Sequence, residues 1–123
     1  MKCKDGVTLR GLHWRMRSLL MYASAVYEDL GQELVVTSAL DGEHGTYSWH
    51  YFGRAFDLRT RYFDDPKEVS VMLGLVLEYV DHRTQVVLEE DHIHVELDST
   101  VSRHEDCACN YCYERGCGQA GEG

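Results

Sequence analysis

The stretch Asp91-His92-Ile93-His94-Val95-Glu96-Leu97 alternates polar and apolar residues from His92 onward. Side chains on a β-strand point in turn to its two faces, so such a run has one face to bury and one to present. His92, His94 and Glu96 share the polar face, with the two imidazoles roughly 7 Å apart at strand spacing. A second run, Arg54 to Thr60, behaves the same way, with Ala55, Asp57 and Arg59 on one face and Phe56 and Leu58 on the other. A chain with two such strands must build a sheet with one covered side.

The cover is legible elsewhere. From Leu12 to Leu30, the residues Leu12, Met16, Leu19, Leu20, Ala23, Val26, Tyr27 and Leu30 fall at three- and four-residue steps, as on a helix with one buried face. Gly31 stands where a left-handed residue would end that helix. Asp65-Pro66-Lys67-Glu68 reads as a helix start, with Asp65 as N-cap, Pro66 in the first helical position and Glu68 three residues after the cap. This second helix should run to about Asp81 through Val69, Met72, Leu73, Val76, Leu77 and Val80. Glu33 to Leu40 is rich in β-branched residues and reads as a strand, followed by a polar loop from Asp41 to about Trp49. Gln85 to Glu90 and His92 to Leu97 read as two strands joined by a tight acidic turn. The predicted order α-β-β-α-β-β gives an α+β fold, an antiparallel sheet with two main helices.

Composition narrows the function classes. The 123 residues suit one domain, expected over residues 1–106, with a cysteine-rich tail over 107–123. A net charge of −9 gives no electrostatic footprint for nucleic acid. No run approaches the roughly 20 apolar residues of a membrane span. Lys2, Lys4, Arg10, Arg15 and Arg17 precede Leu19-Leu20-Met21-Tyr22, and Ala23-Ser24-Ala25 mimics a signal-peptidase site. The apolar run is too short for an export signal, which needs about 7–15 residues. The chain is therefore expected to be made in, and first reside in, a cytoplasm. Seven histidines and five cysteines make metal binding the property to explain. From Val86 to Asp106 seven acidic residues face Arg103 alone, a balance that suits a cation site.

Gly53 would let the chain turn from His50 into the second strand, so that the side chains of His50 and Asp57 converge. Two imidazoles and one carboxylate with an open fourth position make a catalytic zinc site, whereas closed structural sites use four protein ligands, mostly thiolates. Among the remaining histidines, His13, His82 and His104 read as structural or solvated. His44 reads either as a neighbour of the metal ligands or as a loop-fixing hydrogen-bonding group. Trp49, Tyr51 and Phe52 would line a groove or pack in the core.

The run His50-Tyr51-Phe52-Gly53-Arg54-Ala55-Phe56-Asp57, followed by Asp91-His92-Ile93-His94, resembles the zinc D-Ala-D-Ala carboxypeptidases and L-alanyl-D-glutamate endopeptidases. These share a fold with the amino-terminal signalling domain of Hedgehog proteins. The family pattern S-x-H-x-x-G-x-A-x-D, then an acidic residue three positions before the second histidine of H-x-H, is met by Ser48, His50, Gly53, Ala55, Asp57, Asp91, His92 and His94. The likeness spans about Glu33 to Leu97 and is strongest to the short forms of bacteriophages and bacteria, including Asp41-Gly42-Glu43-His44. It implies a zinc ion held by His50, Asp57 and His94. It implies Asp91 as the general base for the attacking water and His92 as hydrogen-bond donor to the developing oxyanion. Glu89 and Glu90 would compete with Asp91 for the base role if the hairpin is bulged. Ser48 matches a position that touches substrate or supports the ligands.

The implied substrate is a peptidoglycan stem peptide, reached at the cell wall after lysis or from a phage particle. Many relatives carry an arginine soon after the strand corresponding to Glu33–Leu40. This chain has Ser38-Ala39-Leu40-Asp41-Gly42 there, so Arg54 and Arg59 are the nearest basic residues. The competing expectation is a protein that keeps fold and metal without catalysis, as a structural or assembly component.

The tail carries Cys107, Cys109, Cys112 and Cys117, spaced C-x-C-x2-C-x4-C. Four thiolates this close suit a second zinc or an iron–sulfur cluster; two disulfides or reduced thiols are the other readings. Cys3 lies apart from this group, or substitutes as a ligand if the termini meet. The tail is a stability staple or a docking element, for instance toward phage structural proteins.

Overall fold

The computed structural model describes residues 1–39 and 53–97. His44, Ser48, His50, Cys107, Cys109, Cys112 and Cys117 lie outside the described residues, as does the boundary between residues 106 and 107. In chain order the elements are β1 (Lys2–Cys3), α1 (Trp14–Asp29), β2 (Val35–Ser38), β3 (Ala55–Arg59), α2 (Pro66–Val80), β4 (Thr84–Leu88) and β5 (His92–Leu97). The fold is α+β, with five strands in the order β1-β2-β3-β5-β4. No helix among the described residues is long and apolar enough to cross a membrane.

The sheet is mixed, which corrects the expectation of an all-antiparallel one. β1 runs parallel to β2, held by Lys2 N–H to Leu34 O and Lys4 N–H to Val36 O, both 2.9 Å. Two residues are too few for a periodic signal, so β1 was not legible. The other pairings are antiparallel. β3 and β5 form the centre, with Ala55 opposite Glu96, Phe56 opposite Val95, Asp57 opposite His94, Leu58 opposite Ile93 and Arg59 opposite His92.

One face of this sheet builds the core. Phe56, Leu58, Ile93, Val95 and Leu97 are fully buried and cluster with Met16, Leu19, Leu20, Ala23, Val26 and Tyr27 of α1 and Val69, Leu73 and Leu77 of α2. Each Val, Leu, Ile, Phe or Met side chain among them contributes about 1.5–3 kcal/mol by leaving water.

α1 starts at Trp14 rather than Leu12, because Leu12 N–H and His13 N–H are already bonded to Leu9 O and Gly53 O. His13 is fully buried, and its Nδ1 accepts from Arg15 N–H at 3.1 Å, which caps the helix. The structural reading of His13 holds. At the other end Gly31, with φ +82°, donates to Glu28 O while Gln32 N–H bonds to Tyr27 O, closing the last turn. Asp65 caps α2 as expected, its Oδ1 accepting from Glu68 N–H at 3.2 Å. The buried face of α2 is turned relative to expectation. Gly74 is buried on it, whereas Met72 and Val80 are 36% and 38% exposed. A Cβ at Gly74 would meet Val86 at an ordinary contact distance of 3.9 Å, so α2 packs on β4 there without requiring glycine.

Candidate metal centre

The register of β3 and β5 decides what the polar face presents. Residues opposite one another on antiparallel strands point to the same side, with Cβ atoms about 4.5–5.5 Å apart. Three such pairs follow each other along the sheet: Ala55–Glu96, Asp57–His94 and Arg59–His92. Ala55 is fully buried and takes little space beside Asp57, as its size suggested.

His94 Nδ1 lies 2.8 Å from Asp57 Oδ1, and its Nε2 lies 2.7 Å from Glu96 Oε1. His92 is bracketed in the same way, with Nδ1 2.7 Å from Asp91 Oδ1 and Nε2 2.8 Å from Glu89 Oε1. The second oxygen of Asp57 approaches His92 Nε2 at 3.7 Å. An imidazole facing a carboxylate at both nitrogens donates two hydrogen bonds and is therefore charged. The Asp57 carboxylate pushes His94 up to about 9, against burial that pulls it down, with Glu96 reinforcing the rise. Burial also pulls His92 down, but Asp91, Asp57 and Glu89 outweigh it and its pKa rises. Asp91 is held below the usual carboxylate range, chiefly by its hydrogen bond from His92.

Asp57, Glu89 and His92 place one ligand atom each within 4.8 Å of one another, close enough to share a metal ion. The donor set fits a divalent cation. Four carboxylates (Asp57, Glu89, Asp91 and Glu96) surround two imidazoles, so negative charge remains even when both imidazoles are protonated. Mixed imidazole and carboxylate donors suit zinc and its neighbours in the first transition row.

Of the residues singled out from the sequence, Asp57, His92 and His94 come together on one face, and Asp91 adjoins them at the hairpin tip. Asp91 is largely exposed, its side chain 85% accessible. Glu89 is the residue whose ligand geometry was missed. It was legible only as a rival base, because its approach to His92 depends on the turn closed by Glu89 N–H to His92 O at 2.8 Å. β4 accordingly ends at Leu88 instead of Glu90. Glu96 was visible on the polar face but had been given no role. Arg54, just before β3, is fully buried and its carbonyl accepts from Leu97 N–H, so it is not an exposed substitute for the arginine that many relatives carry. His82 is exposed in the turn between α2 and β4, in keeping with the solvated reading.

Comparison of the chain with protein-family models, with curated proteins and with solved structures gives no match.

Proposed function

We propose that the chain is a zinc-dependent peptidase that hydrolyses an amide bond in peptidoglycan stem peptides, of the D-Ala-D-Ala carboxypeptidase or L-alanyl-D-glutamate endopeptidase type and of their shared fold. One observation carries the reading: Asp57 and His94, 37 positions apart in sequence, meet at 2.8 Å across β3 and β5 with His92 and Glu89 on the same face. The S-x-H-x-x-G-x-A-x-D and D-H-x-H spacings, which place these residues in the order of that family, add to it.

Asp57 and His94 would hold the ion, with His50 as third ligand by sequence and Glu89 and His92 close enough to share it. A zinc ion there supplies Lewis acidity for the amide carbonyl and makes water a stronger acid. Asp91 is suited to proton transfer because it is exposed, ionised and anchored at one oxygen by His92 Nδ1. It would take a proton from the attacking water and pass it to the departing amine. With Asp57, His94 and His50 holding the ion, His92 is left beside it to hydrogen-bond the developing oxyanion or the substrate, and its carboxylate neighbours favour the protonated, donating form.

A second reading has its own observation. Both nitrogens of both imidazoles are engaged by carboxylates, which is also how a purely structural ion-pair network would look. Such a protein would be a metal-stabilised component of an assembly, for example of a phage particle.

Incubation of the purified protein with peptidoglycan separates the two. The peptidase releases new termini, loses that activity with a chelator and regains it with zinc, and Asp91→Ala is inactive while still binding the metal. No release by the zinc-loaded protein across several wall chemotypes would leave the structural reading standing.

A further inference from the structure

Beside the metal cluster lies a cleft of about 300 Å³, lined among the described residues by Lys4, Thr37, Arg59, Arg61, Asp91 and His92. Three cations from two segments of the chain meet there. Lys4 follows β1, and Lys4 N–H bonds to Val36 O, so the parallel pairing brings the chain start beside β2. Arg59 ends β3 directly opposite His92. Arg61 leaves the sheet just after it. No carboxylate among the described residues forms an ion pair with Lys4, Arg59 or Arg61, although the chain as a whole carries nine more acidic than basic side chains. Asp91 is the lone acid in the lining, so, leaving His92 aside, three basic side chains face one acidic one. Lys4 and Arg59 also line the adjoining hollow with Lys2 and Asp5, where basic side chains again outnumber acidic ones.

We infer that this cleft is an anion subsite in which Arg59 and Arg61, aided by Lys4, grip a carboxylate of a peptide whose scissile amide lies over the Asp57–His92–His94 cluster. Guanidinium groups match a carboxylate with paired hydrogen bonds, which an ammonium group alone does not. The spacing agrees with a short peptide. Arg59 lies two residues along β3 from Asp57, about 7 Å, and two residues of extended peptide span about the same distance. The grip on the anion thus comes from the residue after β1 and from the end of β3, whereas the sequence Ser38-Ala39-Leu40-Asp41-Gly42 contains no arginine. That the anion belongs to a peptide rests on the peptidase reading; the subsite itself does not.

The test uses the full chain, as purified and after chelation, with N-acetylglycine and inorganic phosphate as probes. Binding is followed by calorimetry and by the NMR shifts of the arginine Nε–H groups. N-acetylglycine should bind with or without metal and move the Arg59 and Arg61 signals. Arg59→Gln and Arg61→Gln should each weaken it about ten-fold and Lys4→Gln less, as loss of a charge-assisted bond implies. Lys67→Gln, a charge removed from the exposed start of α2, should leave binding unchanged. Lys4 and Arg61 are exposed, so their variants keep the test open if Arg59→Gln unfolds. Failure of both probes to bind in the millimolar range overturns the subsite. Equal losses in Lys67→Gln would also overturn it, by reducing the effect to overall charge. Phosphate binding about ten-fold tighter than N-acetylglycine overturns the peptide assignment. Carboxylate binding without any amide hydrolysis leaves the subsite in place and refutes only the peptidase reading.

Discussion

Replacing Gly53 by alanine tests how the site strand is anchored. Gly53 has φ +75°, a conformation that costs a residue with a Cβ about 1–2 kcal/mol. A Cβ there would also sit 2.5 Å from Gly11 O and 3.3 Å from His13 N, both backbone atoms that cannot swing aside. Relieving the overlap must push apart the two segments joined by His13 N–H to Gly53 O at 3.0 Å, a bond worth about 1 kcal/mol. Gly53→Ala should therefore lose about 2–4 kcal/mol. Gly31→Ala is the matched control, because Gly31 has nearly the same φ, +82°, and nothing within 4 Å of its added Cβ. It should lose only the conformational part, about 1–2 kcal/mol. Urea denaturation of both variants beside the wild type measures the difference. If Gly53→Ala is no less stable than Gly31→Ala, the close approach of Gly11 is not holding the entry to β3, and the reasoning fails.

Other outcomes follow from the site and its supports. In chelated protein, a histidine raised from 6.5 to about 9 contributes stability that is complete below pH 6.5 and lost as pH rises through about 9. At about 1.4 kcal/mol per pH unit the full effect for His94 is about 3 kcal/mol, which solvent screening reduces to about 1–2. Denaturation at pH 6 and pH 9.5 should show this loss in wild type and not in His94→Gln. Zinc must displace the same proton, so its affinity, measured against a competing chelator, should rise by up to about ten-fold per pH unit until pH 9 and then level. Asp57→Asn should weaken zinc binding at least about ten-fold and flatten that pH dependence, since Asp57 is both donor and the main support of the His94 proton. Tyr27→Phe removes the 2.9 Å bond from a mostly buried phenol to Arg59 O; it should cost about 1 kcal/mol in a melt while leaving zinc affinity unchanged.

Much of this was legible because it is periodic. The alternation in Arg54–Thr60 and His92–Leu97 placed Asp57, His92 and His94 on one face, and β3 and β5 carry them there. The Asp65-Pro66 start and the Gly31 stop were readable because caps have their own local chemistry. What escaped depends on contacts between distant segments. β1 exists through two backbone bonds to Leu34 and Val36, and only that docking brings Lys4 to Arg59. That α2 buries Gly74 and leaves Met72 and Val80 partly exposed depends on its packing against β4 and α1, which periodicity alone does not fix. Glu89 reaches His92 because of one turn whose closing bond no residue type announces.

The pairing of β3 with β5 makes the metal cluster and the core a single choice. A slip of one residue between them would turn either His94 or Asp57 inward and bring either Ile93 and Val95 or Phe56 and Leu58 to the outside, since strand faces alternate with every residue. No misaligned molecule can keep both a buried core and a metal-binding face. If the cluster holds zinc as proposed, the zinc-induced shift of the His92 and His94 imidazole NMR signals in refolded material should follow the correctly aligned fraction, and any deficit should reappear as aggregated protein with an exposed apolar strand.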